Sequence, residues 1–157
     1  MKNIELFKED FEKLNKKYKG LPTLDEIHNE FEILGFIREN DSKIHFPLRF
    51  LRRHIFNSFN FLLGYCHDII RPNQGSAFLM EEFKSFTEEE KDKVVTMIAT
   101  IMTLMRKSTK YSIFHEEKEE AEFFTECFTK WKVLKKELKP ILENNITFWE
   151  NYSGKSI

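Results

Sequence analysis

The stretch from Pro47 to Pro72, PLRFLRRHIFNSFNFLLGYCHDIIRP, constrains the fold more than any other part of the sequence. Pro47 suits the first turn of a helix, where a backbone donor has no partner, and the second proline is part of a strong stop signal. After residue 55 most of the helical circumference is apolar, which is typical of a helix at the centre of a core. We therefore predict a central helix over about 47–70, with its main stripe at Leu48, Leu51, Ile55, Phe59, Leu62, Cys66 and Ile69.

The composition favours an all-α fold around this helix. The 157 residues include only five glycines and four prolines but 17 phenylalanines, so many short strands and turns are not indicated. We predict one domain over residues 1–152, a bundle of about six mostly antiparallel helices, followed by a loose tail at 153–157. A short hairpin near residues 36–46 is an alternative for the connection before the central helix. The excess of phenylalanine fits a Phe-rich core or an apolar surface kept for a partner.

Start and stop signals divide the rest of the chain into helices. An amphipathic stripe predicts a first helix over residues 3–18. Two capping boxes, Thr23-Leu-Asp-Glu26 and Thr87-Glu-Glu-Glu90, predict helices that begin directly after each threonine. We expect the first of these helices to stop at Gly35 and the second to break near Lys110.

The remaining segments complete the predicted bundle. A short helix is expected over about 76–86, where Ser76 can act as its N-cap. The last helical region begins among the glutamates of residues 116–122, which suit the positive end of a helix. Pro140 should kink this helix or end it, because proline has no backbone N–H and its ring clashes with the preceding turn.

The sequence predicts a cytoplasmic protein that does not enter the membrane. The N-terminal residues MKNIELFKEDFEKL are charged and contain no apolar signal region. The longest apolar run, residues 55–70, is interrupted by Asn, His and Asp, whereas a membrane span needs about 20 apolar residues. Cys66 and Cys127 both lie in apolar stretches, so we expect buried free thiols rather than a disulfide or a nucleophile.

Basic residues collect in two windows of the sequence that contain no acidic residue. If the third and fifth helices are antiparallel, both groups meet at one end of the bundle. An anion such as a phosphate of RNA or DNA could then bind there through guanidinium and ammonium groups. The net charge of −1 provides no general attraction to nucleic acid, so such binding would be local. The candidate site residues are Arg49, Arg52, Arg53, His54, Arg106, Lys107 and Lys110.

An internal explanation of the same residues is also open. The arginines stand in the first two turns of their helix, where the helix dipole is unfavourable to cations. Glutamates of residues 116–122 are expected at the same end of the bundle and can pair with them. Whether Arg49, Arg52 and Arg53 are bonded to those glutamates separates the two explanations.

Arg49-Phe-Leu-Arg-Arg-His54 resembles the R-x4-6-H signature of the HEPN ribonucleases, which are all-helical proteins of comparable size. The resemblance covers these six residues, and Phe50 stands where that family usually has a polar residue. It implies RNA cleavage across a dimer interface. His54 would then act as an acid or base, and Arg49 would stabilise the charge that develops on phosphorus.

No other pattern points to catalysis. Asp25-x-x-His28 and the pair His115/Glu119 have spacings that metal ligands can have, but the chain offers no matching second motif. We therefore expect no catalytic residue, no metal and no cofactor. The sequence favours a non-catalytic protein-interaction or oligomerisation module, with a protein partner or a second copy of the chain as partner. The alternative is nucleic-acid binding or HEPN-like RNA cleavage at the basic end.

Overall fold

The computed structural model describes residues 2–40 and 42–153 of the chain. Over these residues it contains seven helices and no strand, which confirms the predicted all-α class. In chain order the helices are α1 (Lys2–Lys17), α2 (Leu24–Phe31), α3 (Leu34–Glu39), α4 (Pro47–Ile70), α5 (Ala77–Ser85), α6 (Glu88–Ile113) and α7 (Glu117–Glu150). None of the described helices is both long enough and apolar enough to cross a membrane.

The chain divides into two compact units. Unit 1 comprises residues 1–58 and 105–130, and unit 2 comprises residues 59–104 and 131–157. The boundaries between them fall within α4, α6 and α7. The single domain over residues 1–152 stays a prediction, and residues 154–157 of the expected loose tail lie outside the described residues.

The core of unit 1 is formed by apolar faces of α1 to α3 together with parts of α4 and α7. The first helix buries both of its phenylalanines, Phe7 and Phe11, so its amphipathic stripe packs inside its own unit. Phe31 of α2 contacts Phe128 of α7, with ring centroids 6.4 Å apart. Other fully buried side chains of this unit are Ile27, Ile33, Ile37, Leu51, Ile55 and Phe124.

The core of unit 2 is formed by the second half of α4, most of α6 and the second half of α7. Phe59 packs edge-on against Trp131, with ring centroids 5.1 Å apart. Among the other buried side chains of this unit are Leu62, Cys66, Ile69, Val94, Met97, Ile101, Leu104 and Ile141.

The helix α4 runs from Pro47 to Ile70, as the proline-bounded stretch predicts. Its predicted stripe is buried along its whole length, because residues three and four apart lie on one face of a helix. One face of α4 past residue 55 is nevertheless exposed, at Asn57, Asn60, Phe61, Gly64, His67 and Asp68. Phe61 is 82% exposed.

The segment before α4 differs from both predictions made for it. The alternative of a hairpin near residues 36–46 is wrong, because α3 occupies Leu34–Glu39 and the described residues contain no strand. The helix α2 stops before Gly35, where Glu32 adopts a left-handed conformation with φ of 52° and donates its N–H to the His28 carbonyl. Burial of Ile33 and Ile37, one helical turn apart, favours the helical course of α3.

The two long C-terminal helices continue past the predicted breaks. The helix α6 extends to Ile113, past the break predicted near Lys110. The helix α7 continues through Pro140 to Glu150. Leu134 and Ile141, on either side of this proline, are both buried, so tertiary packing holds both segments in helical conformation although the proline removes a backbone hydrogen bond.

Candidate functional site

The predicted basic cluster lies in unit 1, and its central member is buried. Arg52 is 2% exposed, and its Nη1 donates to the Ser108 carbonyl at 2.6 Å and to the hydroxyls of Ser108 and Ser112 at 2.7 and 3.0 Å. Burial lowers the pKa of Arg52 from its ordinary value, while the charge of Glu120 acts in the opposite direction. These bonds hold the start of α4 against the last turns of α6, which is the arrangement expected for antiparallel neighbours.

Arg49 has a looser attachment on the side of α7. Its Nη2 lies 3.8 Å from Oε1 of Glu120, which is an ion pair without a hydrogen bond. Its guanidinium carbon lies 4.5 Å from the ring centroid of Phe46. The Nε of Arg49 is buried and has no hydrogen-bond partner among the described residues. Glu120 itself is only 5% exposed, and Nδ1 of His115 also lies 3.5 Å from the same oxygen.

Arg53 and His54, which follow Arg52 on α4, differ in their exposure and contacts. Arg53 is exposed and forms no ion pair within the part of the chain that the structure describes. The ring of His54 lies between Phe36 and Phe50, with centroids 4.6 and 4.4 Å away. Burial lowers the pKa of His54, which favours the neutral imidazole. Its Nδ1 is buried and lacks a hydrogen-bond partner among the described residues.

Of the three α6 residues in the predicted site, Lys107 and Lys110 are paired with α7. Lys107 contacts both carboxylate oxygens of Glu126, at 2.7 and 2.8 Å, and Lys110 lies 3.2 Å from Glu119. These pairs also fix α6 and α7 as antiparallel in unit 1. Arg106 is exposed and has no ion pair within the described residues.

A cavity of about 440 Å³ brings together several of these groups, and we call it the basic pocket. None of the described residues that line it is acidic, although it contains two arginines and two histidines. Arg52 and the three α6 residues of the predicted site do not line it. The lining residues are Asn40, Ile44, His45, Phe46, Arg49, Phe50, Arg53 and His54.

A second cavity, of about 430 Å³, shares Arg49 and Phe46 with the basic pocket but carries charges of both signs. Its lining includes the carboxylates of Asp10, Glu117 and Glu120 together with Lys13, Lys17 and Arg49. Lys17 and Tyr18 hold Glu117 at 2.6 and 2.7 Å, and these hydrogen bonds lower the pKa of that carboxyl. Arg49 therefore has a carboxylate on one side and an acid-free cavity on the other.

Five residues of the basic pocket were not predicted as members of a site: Asn40, Ile44, His45, Phe46 and Phe50. His45 and Phe46 directly precede Pro47, within the acid-free window, so their position in the sequence was a usable signal. Phe46 is 62% exposed. Composition shows an excess of phenylalanine but does not show which ring is exposed.

A separate exposed surface lies on α4 within unit 2, and we call it the Phe61 face. Its exposed members besides Phe61 are Asn60, Gly64, His67 and Asp68. A Cβ atom added at Gly64 would meet no other atom within 4 Å, so the helix surface there is open and flat.

Neither a metal site nor a reactive thiol emerges from the described residues. They contain no group of three His, Cys, Asp or Glu side chains that could hold a metal ion. Both cysteines are free and buried, as predicted, and burial raises the pKa of Cys66 to about 11 and also raises that of Cys127. Thiols of this kind are protonated at neutral pH and are poor nucleophiles.

No protein-family model, curated protein or solved structure matches the chain.

Proposed function

We propose that this chain is a non-catalytic interaction module that associates with a second copy of itself through the Phe61 face. The observation that carries the proposal is the 82% exposure of Phe61 in the middle of a 24-residue helix. Full burial of a phenylalanine side chain contributes about 1.5–3 kcal/mol, so a ring left outside favours a contact that covers it.

The spacing of Phe61 and Gly64 supports a second copy as the partner. The two residues are one helical turn apart on the same face. In an antiparallel two-fold pairing of α4 helices, each ring covers the glycine of the other copy. A glycine lets the two backbones approach closely, and the exposed Asn60, His67 and Asp68 form a polar rim.

Analytical ultracentrifugation over a range of protein concentrations tests this proposal. The wild-type chain is expected to form a dimer, and Phe61→Ser is expected to weaken dimerisation about tenfold or more because the buried apolar area is lost. Gly64→Gln should have a similar effect, since it places a side chain in the interface. Val95→Ser is the matched control, because Val95 is also exposed in unit 2 but lies on α6. A wild-type chain that stays monomeric at millimolar concentration would refute the proposal.

A second candidate function, binding of single-stranded RNA, is favoured by the acid-free lining of the basic pocket. Guanidinium groups such as Arg49 and Arg53 bind phosphates, and the exposed ring of Phe46 offers a surface on which a base can stack. Among the basic residues first considered, Arg52, Lys107 and Lys110 already have partners in unit 1. Fewer basic residues therefore support RNA binding in the structure than were named as candidate site residues from the sequence.

Binding of a labelled RNA oligonucleotide at several salt concentrations tests the second candidate. Arg53→Ala should weaken binding and reduce its salt dependence, whereas Arg71→Ala, which removes an exposed arginine of unit 2, should leave both unchanged. The same samples test HEPN-like cleavage, since His54→Ala should abolish any cleavage that Arg49 and His54 perform. Absence of binding at low salt excludes this candidate.

We further propose that the chain works in the cytoplasm. Two free buried cysteines support this, because reduced thiols are typical of that compartment.

A further inference from the structure

A cavity of about 420 Å³ lies in unit 2, between the end of α5 and the last turns of α7. Its size falls within the range of small-molecule sites. It belongs to neither the basic pocket nor the Phe61 face. We call it the α5–α7 pocket, and its lining includes Ser85, Asn145, Thr147, Phe148, Asn151 and Tyr152.

Two hydrogen-bond donors in this pocket are buried without a partner among the described residues. They are the side-chain Nδ2 of Asn145 and the hydroxyl of Tyr152. Asn145 is only 7% exposed, and asparagine is a poor helix former, so neither packing nor helix propensity explains it at this position. An unmet buried donor is destabilising, and a bound water, ion or ligand is one way in which its bonding is completed.

Several other polar groups of the pocket already have partners, and Nδ2 of Asn144 donates to Oε1 of Glu90 at 2.8 Å. Ser85 donates to the Glu82 carbonyl at 2.6 Å, Thr147 to the Glu143 carbonyl at 3.0 Å, and Nδ2 of Asn151 to the Thr147 carbonyl at 2.9 Å. Among the side chains that line the pocket, Asn145 and Tyr152 are those with a buried donor that has no partner among the described residues. A ligand must supply acceptors to both.

The charge of the pocket excludes an anion as its ligand. No Lys, Arg or His is among the described residues that line it. Its one charged lining residue is Glu81, which pairs with Lys84 at 2.7 Å. The ring of Phe148 provides an apolar wall. A carbonyl or amide oxygen on an uncharged molecule meets these conditions, since it accepts hydrogen bonds without a charge to be neutralised.

We propose that the α5–α7 pocket binds an uncharged ligand through an amide or carbonyl oxygen, which accepts hydrogen bonds from Asn145 and Tyr152. The apolar part of the ligand packs against Phe148. The amide can come from a free small molecule or from the backbone of a short peptide. This inference is independent of dimerisation and of RNA binding.

Two probes in nuclear magnetic resonance titrations of the full chain test the proposal. One is N-methylacetamide, and the other is an acetylated and amidated alanine tripeptide. The Asn145 side-chain amide signals are expected to shift and to saturate with at least one of them. Saturation by N-methylacetamide alone indicates a small-molecule site, and tighter binding of the tripeptide indicates a peptide site. Shifts that increase linearly without saturation for both probes overturn the proposal.

Substitutions separate ligand binding from stability. Asn145→Leu should abolish saturable binding and raise the melting temperature, because it removes an unmet donor and keeps the side-chain volume similar. Tyr152→Phe should weaken binding about threefold or more, which is the effect of losing one hydrogen bond.

Tyr65→Phe is the matched control for Tyr152→Phe. The Tyr65 hydroxyl is also buried in unit 2 without a partner among the described residues, but it does not line this pocket. Its removal should leave probe binding unchanged. If Tyr152→Phe binds the probe as tightly as Tyr65→Phe does, the proposal is wrong, and this comparison holds even if Asn145→Leu fails to fold.

Discussion

The structure gives Arg52 a different role from the one that the sequence suggests. In sequence it is one of several arginines available to an anion, but in unit 1 it is buried and bonded to serines of α6. A buried guanidinium needs such partners, because removing it from water without them is costly. Its contacts contribute to the stability of unit 1, and this leaves Arg49 and Arg53 as the arginines that line an open cavity.

Arg52→Leu is expected to lower the free energy of unfolding by about 2–4 kcal/mol, because it removes the Nη1 hydrogen bonds to Ser108 and Ser112 and the cation that faces the buried Glu120. Arg53→Leu, at the adjacent exposed position, should change it by less than about 0.5 kcal/mol. Urea denaturation followed by circular dichroism measures both. Equal effects of the two substitutions would show that the Arg52 hydrogen bonds do not contribute to stability.

His54 predicts a pH dependence of stability with a definite sign. Burial lowers its pKa in the folded state, so the unfolded chain takes up the proton more readily. The stability that this group contributes is present above its unfolded pKa of about 6.5 and is lost as the pH falls through the lower folded pKa. Between about pH 7 and pH 5, the wild-type chain should lose more stability than His54→Phe does. Parallel pH profiles of the two proteins would contradict the assignment.

At the scale of helices, local signals determined where elements begin better than where they end. Both capping boxes form as predicted: Thr23 and Thr87 accept from the backbone N–H of Glu26 and Glu90. Each glutamate in turn accepts from the backbone N–H of its threonine. The stop signals were weaker, because Gly35 lies inside α3 and Pro140 lies inside α7. A cap is satisfied within four residues, whereas a helix end also depends on what its last turn packs against.

Thr87→Ala is expected to lower the free energy of unfolding by about 1 kcal/mol, because the first amides of α6 lose their side-chain acceptor. Thr100→Ala, in the interior of the same helix, is the control, and it should be neutral or slightly stabilising because alanine is the better helix former. Thermal unfolding of both variants measures the difference. A smaller loss for Thr87→Ala than for Thr100→Ala would contradict the role of the cap.

Pro140→Ala is expected to raise the free energy of unfolding by about 1–3 kcal/mol. The substitution restores a backbone donor for the Lys136 carbonyl and removes the clash of the ring with the preceding turn. Position 140 is exposed, so no packing should be lost. Lys136→Ala serves as the control for a change of surface composition in the same turn. A loss of stability in Pro140→Ala would mean that unit 2 requires the geometry that proline imposes on α7.

At the scale of the whole molecule, the distribution of phenylalanine determines which aromatic rings are exposed at the surface. Nine of the 17 rings are buried, and five are substantially exposed: Phe36, Phe46, Phe61, Phe78 and Phe114. Composition predicts an excess of phenylalanine but not which rings are exposed. Phe46 lines the basic pocket and Phe61 lies on an open helix face, so each of the two proposed interaction surfaces contains an exposed ring.

The sequence by itself determined the all-α class, the bounds of α4 and the burial of its main stripe. These features follow from helical periodicity and from proline at the helix ends, which act over a few residues. The position of the start of α4 against the end of α6, seen in the bonds of Arg52, also followed from the sequence, because two long helices with a short element between them are readily antiparallel.

Only the tertiary structure decided which polar groups have partners. Arg52 is bonded to α6, Lys107 and Lys110 are paired with α7, and Arg53 forms no ion pair with any described residue. The unmet donor of Asn145 is likewise a property of its surroundings. Pairing depends on distances of about 3 Å between side chains far apart in the chain, and no local pattern of residues specifies these distances.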